Sequence, residues 1–178
     1  MKRMMIMGAA FTLSIMLCGC ARYQYHSHTQ SRDLSNDYVL KLNIVSPLAL
    51  KNTSSSSPGI EAILCQYGTV DVMGNLYDLT ESAIGTAKNA LQKQKATIDD
   101  KAEKKLELSV YKATCDKGWN FRAMVSLRVQ TGSGIMKEYQ GLDSFSTGYQ
   151  TTAGFEMAFV QCIEQMLKDK EIVAYIEK

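Results

Sequence analysis

Alternating apolar and polar residues predict three consecutive strands in the second half of the chain. The alternation runs through residues 106–111, 121–130 and 135–145. A period of two puts successive side chains on opposite faces of a strand, so each segment would bury one face. Turn-forming residues at 115–118 and 131–134 separate the segments, and short turns of this kind join antiparallel strands. The pattern therefore predicts an antiparallel meander.

Weaker strand signals precede the meander. Residues 38–45 alternate and end before Pro47, which predicts a first strand terminated by the proline. The serine-rich stretch 52–59 predicts a loop, because small polar residues with Pro and Gly mark irregular segments. Short apolar runs at 60–65 and 69–72 predict two further extended segments.

Apolar residues at helical spacing predict two helices. The sequence at 78–81, Asp-Leu-Thr-Glu, has the form of a capping box, so the first helix would begin there, with a stripe made mostly of alanine. The last helix has the stronger stripe, and Thr151 or Thr152 would cap its N-terminus. This stripe consists of Phe155, Ala158, Phe159, Cys162, Ile163, Met166 and Leu167. A short apolar continuation at 172–176 is expected to fold back on the domain.

The order of these elements predicts the fold class. A strand, a helix, a three-strand meander and a helix indicate an α+β structure, with an antiparallel sheet and two helices packed on one face. The chain has 178 residues, which is enough for one domain with its own core. We expect this single domain to span residues 38–178.

Residues 1–19 have the pattern of a bacterial export signal. Lys2 and Arg3 give a positive start, and an apolar run follows from Ile6 to Leu17. The run is too short, and too soon followed by polar sequence, to be a transmembrane helix. We therefore expect residues 1–19 to be removed as a signal peptide.

The end of this signal points to lipidation. The sequence at 17–20, Leu-Cys-Gly-Cys, resembles the lipobox at which bacterial lipoprotein signals are cut and the cysteine is acylated. The resemblance implies that Cys20 is the first mature residue and carries the lipid. The alternative is an ordinary secreted protein that is cut near Gly19 and keeps Cys20 for a disulfide.

The segment that follows is polar. Residues 20–37 contain almost no aliphatic residues and show no periodicity. Such a segment cannot bury enough apolar surface to order itself, so we expect a lipidated N-terminus and a flexible tether. His26 and His28 lie in it, but no Cys, Asp or Glu accompanies them at metal-binding spacing. Because zinc requires three or four fixed ligands, we predict no metal site.

The charge balance excludes one class of partner. Lys and Arg number 20 against 18 for Asp and Glu, and the loss of Lys2 and Arg3 with the signal would leave 18 of each. A nucleic-acid-binding domain shows a basic excess. We therefore expect no nucleic-acid partner, and the sequence predicts no particular oligomeric state.

Three cysteines belong to the predicted domain. Export would place them in an oxidising compartment, where one disulfide and one free thiol are expected. Cys162 lies on the apolar stripe of the last helix and is predicted to be a buried, inert thiol. Cys65 and Cys115 each close an apolar or strand segment that can reach a sheet edge, so they are the predicted pair. Three free cysteines remain the alternative, because spacing alone does not set disulfide geometry.

The sequence predicts no catalytic residue and no cofactor. Both histidines lie in the predicted tether, so no base on a rigid scaffold is available to activate a serine or cysteine. The sequence Gly-Ser-Gly at 132–134 lies in a predicted hairpin turn, whereas a nucleophile elbow joins a strand to a helix. Carboxylates could serve as an acid and a base, and the four considered are Asp99, Asp100, Glu103 and Glu107. Their lysine neighbours indicate instead a solvated charged loop.

The C-terminal sequence resembles that of a known lipoprotein family. Residues 166–176 carry Met, Asp, Ile and Ile at the spacing found at the end of YajG-type bacterial lipoproteins. The order of elements from Tyr38 onward is also similar, including the alanine-bearing helix and the hairpin that crosses at Tyr111 and Phe121. The family is close in architecture to auxiliary lipoproteins of lipid-transporting ABC systems and to the lipopolysaccharide-assembly lipoprotein.

This resemblance implies a periplasmic domain anchored at the outer membrane, with no enzymatic residues to carry over. Ala21 after the cysteine, rather than Asp, resembles the pattern sorted to the outer membrane. We therefore expect a non-enzymatic accessory or structural component that holds the membrane by its lipid and binds an envelope protein or a lipid. A periplasmic cell-wall enzyme that uses carboxylates is the alternative.

Overall fold

A computed structural model describes residues 22–34 and 41–178, so the predicted signal peptide and Cys20 lie outside the described residues. Its strands are β1 (Tyr23–His26), β2 (Ala49–Asn52), β3 (Ala62–Tyr67), β4 (Val70–Gly74), β5 (Lys105–Lys117), β6 (Phe121–Thr131) and β7 (Met136–Phe145). Its helices are α1 (Leu76–Lys93), α2 (Thr151–Lys168) and α3 (Lys170–Glu177), and a 3₁₀ turn at Gly148–Gln150 precedes α2. The predicted α+β class is confirmed.

The meander forms most of the main sheet. β5, β6 and β7 pair antiparallel in chain order, with Leu108 opposite Val129 and Leu127 opposite Tyr139. β2 joins the other side of β5 in a parallel register, so the strand order is β2-β5-β6-β7. The sheet is therefore mixed rather than purely antiparallel. A parallel neighbour needs a crossover connection, and β3, β4 and α1 lie in the connection here.

A second sheet has three strands in the order β1-β4-β3. β3 and β4 form an antiparallel hairpin, which confirms the extended segments predicted at 60–65 and 69–72. Gly68 lies in the turn with a φ of +56°, a left-handed conformation that glycine adopts without a steric penalty. β1 pairs in parallel with β4, beginning with Tyr23 opposite Val70.

The strand predicted at 38–45 is wrong over its described part. Residues 41–45 form no strand, and the sheet instead begins with β2, just beyond Pro47. Leu42 and Ile44 pack against the core while partly buried. Their alternation therefore reflects the packing of an irregular segment, since a period of two does not by itself supply a strand partner.

Both long helices begin differently from the prediction. At α1 the N-cap is Asn75, whose side-chain oxygen accepts hydrogen bonds from the N–H groups of Tyr77 at 2.6 Å and Asp78 at 3.4 Å. Asn caps as well as Asp does, so the helix starts at the earlier of two suitable residues. At α2 the predicted threonine cap is wrong. The Thr151 hydroxyl donates to the Gly148 carbonyl, and α2 continues directly from the 3₁₀ turn.

The two long helices pack on one face of the main sheet, as predicted. α1 contacts β2 and β5, α2 contacts β6 and β7, and the helices contact each other. The large side chains that are fully buried between these layers include Leu79, Leu91, Leu106, Leu108, Leu127, Phe155, Phe159 and Ile163. Gly141 lets α2 approach β7 closely, because a Cβ at this position would lie 1.9 Å from the carbonyl oxygen of Ala158.

α2 also covers the outer edge of β7. The Gln161 side chain accepts from the Leu142 N–H at 2.9 Å and donates to the Leu142 carbonyl at 2.8 Å. Gln165 donates to the Gln140 carbonyl at 2.7 Å. Free main-chain groups on an edge strand readily pair with another chain. These two glutamines therefore block strand addition at the middle of β7.

The prediction of a flexible tether is wrong for residues 22–34, here called the N-terminal segment. After β1 it lies against both long helices, where the Gln30 N–H and the Arg32 guanidinium bind the buried carboxylate of Glu156. The Arg32 N–H donates to the Thr86 hydroxyl at 3.0 Å. The folded body therefore includes this segment. Its polar composition does not predict this order, because hydrogen bonds and an ion pair, rather than a large apolar surface, hold the segment in place.

Candidate functional site

An apolar cavity lies between the two sheets at one end of the domain. Its volume is about 290 Å³. The walls come from β1, from the β3–β4 hairpin and from the tip of the β5–β6 hairpin. The lining residues are Tyr23, Tyr25, Tyr67, Val70, Val72, Lys117, Phe121 and Gly148. Mostly aromatic and aliphatic walls with a few polar groups are typical of small-molecule sites. We call it the aromatic cavity.

Ring packing around Phe121 shapes the floor of the aromatic cavity. The Tyr67 ring meets Phe121 edge to face, with centroids 4.8 Å apart, and Phe145 stacks against Phe121 at 5.9 Å. Such arrangements are the favoured geometries of aromatic pairs. The Lys117 ammonium nitrogen lies 5.5 Å from the Phe121 centroid, within range of a cation–π contact. The cavity therefore combines an aromatic wall with one exposed cation at its rim.

The Tyr67 hydroxyl is a buried polar group next to the cavity. Its oxygen is buried and has no hydrogen-bond partner within the part of the chain that the structure describes. The nearby Thr151 hydroxyl, which donates to the Gly148 carbonyl at 2.5 Å, acts to lower the pKa of Tyr67. Burial has the larger effect and raises the pKa of Tyr67 above its ordinary value. A buried hydroxyl without a good partner costs free energy, and this oxygen lies behind the ring, out of contact with the open cavity.

A disulfide joins the two sheets beside the cavity. Cys65 of β3 and Cys115 of β5 are bonded, with Cα atoms 5.2 Å apart. Tyr67 lies two residues after Cys65, and Lys117 lies two residues after Cys115. Residues two apart in a strand share a face. The cross-link therefore sets the distance between the two strand faces that supply these cavity residues.

Polar contacts hold β1 in place as a wall of the cavity. Arg22 pairs with the buried carboxylate of Asp71 at 3.3 Å, and Gln66 donates to the same carboxylate at 2.8 Å. The Tyr25 hydroxyl lies 3.2 Å from the hydroxyl of Thr152 on α2. Because these contacts tie β1 to the second sheet and to α2, the exposed start of the N-terminal segment has a defined position.

The structure separates Cys162 from the other domain cysteines. Cys162 is a free thiol with none of its surface exposed, as the apolar stripe predicted. Burial raises its pKa to about 12, so the reactive thiolate is scarce at neutral pH. Cys20, the predicted lipidation site, lies outside the described residues.

The predicted tether histidines lie at the surface. The Nδ1 atom of His26 is 2.5 Å from a carboxylate oxygen of Glu61, and the His28 ring stacks with His26 at a centroid distance of 6.4 Å. Among residues 22–34 and 41–178, no group of three or more Cys, His, Asp and Glu side chains could hold a metal ion.

The carboxylates considered for catalysis serve local structure. Glu107 binds Lys105 with an oxygen–nitrogen distance of 2.6 Å, and a side-chain oxygen of Asp99 accepts from the Lys101 N–H at 2.9 Å. None of the four predicted carboxylates lines the aromatic cavity. The Gly-Ser-Gly sequence at 132–134 lies in the turn between β6 and β7.

Sequence reasoning missed the residues of the cavity. Tyr23 and Tyr25 alternate with polar residues, which is the pattern of a strand. The pattern covers only two tyrosines, and it lies in a segment whose polar composition indicated disorder. Phe121 lies at the start of a predicted strand, whereas Tyr67 lies between the predicted segments 60–65 and 69–72. The approach of the two rings depends on the pairing of two sheets. That pairing has no local signal.

No helix in the described ranges has both the length and the apolar content needed to cross a bilayer.

Comparison with known proteins shows similarity to solved structures but not to a family model. No family model matches the chain, and no curated protein matches it. The fold is similar to the crystal structure of protein XCC0632 from Xanthomonas campestris, described by the family model DUF330. The two share 15% sequence identity with a TM-score of 0.46, over 86% of this chain and 94% of that one.

Proposed function

We propose that the protein is a lipoprotein of the bacterial envelope, acylated at Cys20 and held at the outer membrane facing the periplasm. It acts there as a non-enzymatic accessory component, like the YajG-type lipoproteins that its sequence resembles. Its ligand is a lipid, one acyl chain of which occupies the aromatic cavity.

The observation that carries this proposal is the position of the aromatic cavity. The described chain begins at Arg22, only two residues after Cys20, and its first strand forms one wall of the cavity. A site for an apolar ligand is thus built into the end of the protein that follows the proposed lipid anchor.

The chemistry of the cavity favours a lipid chain. Its volume of about 290 Å³ lies at the small end of ligand sites, which suits one acyl chain of moderate length. The valines and aromatic rings would contact the chain. Lys117 at the rim would attract a carboxylate or phosphate.

The anchor is tested by replacing Cys20. We expect Cys20→Ser either to release soluble protein or to block processing of the precursor. One acyl chain binds a membrane only marginally, with an association constant on the order of 10⁴ M⁻¹, whereas several chains hold firmly.

Fractionation of envelopes provides the measurement, with Cys162→Ala as a matched cysteine control that should stay membrane-bound. Processed Cys20→Ser protein that remains with the outer membrane would contradict the anchor. Wild-type protein recovered in the inner membrane would contradict the proposed location.

A further inference from the structure

Four exposed residues lie at the end of the domain that holds the aromatic cavity, and two of them, Tyr23 and Lys117, line the cavity itself. Trp119 lies at the tip of the β5–β6 hairpin and is fully exposed, at 105% of the reference area. Tyr23, at the start of β1, is 64% exposed. Arg22 and Lys117 are exposed cations next to these aromatic residues. We call this group, Arg22, Tyr23, Lys117 and Trp119, the aromatic end of the domain.

Residues of these types are enriched where proteins meet the surface of a bilayer. Trp and Tyr favour the headgroup region because each ring has an apolar body and a polar group. Lys and Arg extend their charged ends toward lipid phosphates while their stems cover apolar surface. A fully exposed indole at the same end of the domain as a second exposed aromatic ring therefore fits a lipid surface better than open water.

The length of chain before the aromatic end limits where a lipid on Cys20 can lie. A fully extended chain spans at most about 3.6 Å per residue, so the Cα atom of Cys20 lies within about 7 Å of that of Arg22. The ion pair between Arg22 and Asp71 holds this point on the second sheet. A long flexible tether would have left the orientation of the domain free, but the N-terminal segment is part of the fold.

We propose that the aromatic end docks on the lipid surface, with Trp119 and Tyr23 in the headgroup region and Lys117 at the phosphates. The inference rests on the proposed acylation of Cys20, which brings the bilayer to this end of the domain. Docking would place the mouth of the aromatic cavity directly against the lipids. An acyl chain could then move between bilayer and cavity without crossing open water.

The charges at this end suit docking through the aromatic side chains. Arg22 is paired with Asp71, and Arg122 forms a bidentate pair with Asp116 near the hairpin tip. Opposite charges are thus balanced locally. Insertion of the two aromatic rings, rather than attraction to a net negative surface, would provide most of the contact.

The chain contains a single tryptophan, so its fluorescence reports the position of Trp119 directly. The acylated protein would be reconstituted into vesicles of phosphatidylethanolamine and phosphatidylglycerol, with and without brominated acyl chains. We expect the emission of Trp119 to shift to shorter wavelength on the vesicles and to be quenched severalfold by the brominated lipids.

A matched control moves the tryptophan to the other end of the sheet. In a protein that combines Trp119→Phe with Met136→Trp, the indole would replace Met136, which is 54% exposed at the start of β7. Residues 121 and 130 of β6 pair with the two ends of β7, so the sites lie about 30 Å apart along the strands. The emission of this control should stay that of an indole in water.

The outcomes separate docking from anchoring. Protein that sediments with the vesicles while Trp119 remains unquenched would overturn the docking and leave the anchor intact. Equal quenching of both tryptophan positions would also overturn it, because the domain would then have no preferred orientation. Acylated protein that fails to sediment with vesicles would overturn the proposed anchor and the docking together.

Discussion

Asp169 links the two C-terminal helices to the main sheet through its carboxylate. One oxygen caps α3 by accepting from the N–H groups of Glu171 at 2.9 Å and Ile172 at 3.3 Å. The other accepts from the Tyr139 hydroxyl at 3.1 Å. Burial acts to raise the Asp169 pKa, but the two N–H groups, Tyr139 and Lys137 together lower it below the ordinary 3.8.

This lowered pKa predicts a dependence of stability on pH. A carboxylate whose pKa is lower in the folded than in the unfolded chain contributes its full stabilisation above the unfolded value, and this is lost as pH falls through the folded value. Asp169→Asn should therefore be less stable than wild type at pH 7, by about 1 kcal/mol, since Asn still caps the helix. Below pH 3 the difference should shrink.

Urea unfolding at pH 7 and below pH 3 would measure the difference in unfolding free energy, with the exposed Asp100→Asn as control. A deficit of the Asp169→Asn variant that stays constant down to pH 2 would show that the charge of Asp169 is not its source.

The burial of a residue could be predicted where the residue belongs to a strong periodic pattern. It could not be predicted for a polar residue outside such a pattern. The burial of Cys162 followed from its helical stripe, because helical spacing reports a face directly. The role of Glu156 did not follow. It lies within α2, and only the folded position of Arg32 explains why a carboxylate is buried there.

Elements joined by short turns were predicted well. The strands of the meander and both long helices were found, because each has its own periodic pattern and the turns fix the antiparallel neighbours. The parallel positions of β1 and β2 were not found. Their partner strands lie far along the chain, and the sequence of a four-residue strand does not indicate which strand it will pair with.

The link between β3 and β5 provides a prediction about elements. The disulfide closes a loop with a sequence separation of 50, for which the loop-entropy contribution is about 4 kcal/mol. The double variant Cys65→Ala and Cys115→Ala should lose up to that amount of unfolding free energy and show a looser cavity. Cys162→Ala keeps the bridge and serves as control.

Peptide mapping of non-reduced protein from the periplasm identifies the bridge itself. We expect a single linked pair, Cys65 with Cys115. A linked peptide that contains Cys162, or the absence of any linked pair among the domain cysteines, would contradict the pairing of the two sheets described here.

At the scale of the whole molecule, the N-terminal segment changes the architecture that the sequence indicated. A composition poor in aliphatic residues predicted a tether up to residue 37, because sequence composition reports apolar burial and little else. The structure shows β1 and the contacts of Gln30 and Arg32 with Glu156 instead. Tyr23 and Tyr25 of this segment line the aromatic cavity, so the cavity could not be predicted from the sequence.

Binding of a fatty acid to the aromatic cavity tests the central claim most directly. Equilibrium dialysis of labelled decanoate against soluble protein produced from Ala21 onward, without the signal and the lipid, should show saturable binding to one site per chain. Val70→Phe would fill the cavity and should weaken binding by about tenfold or more, which corresponds to about 1.4 kcal/mol. Val45→Phe places the same ring at a site that is 74% exposed, and it should bind like the parent. Absence of saturable binding, or equal binding by the Val70→Phe and Val45→Phe proteins, would contradict the account.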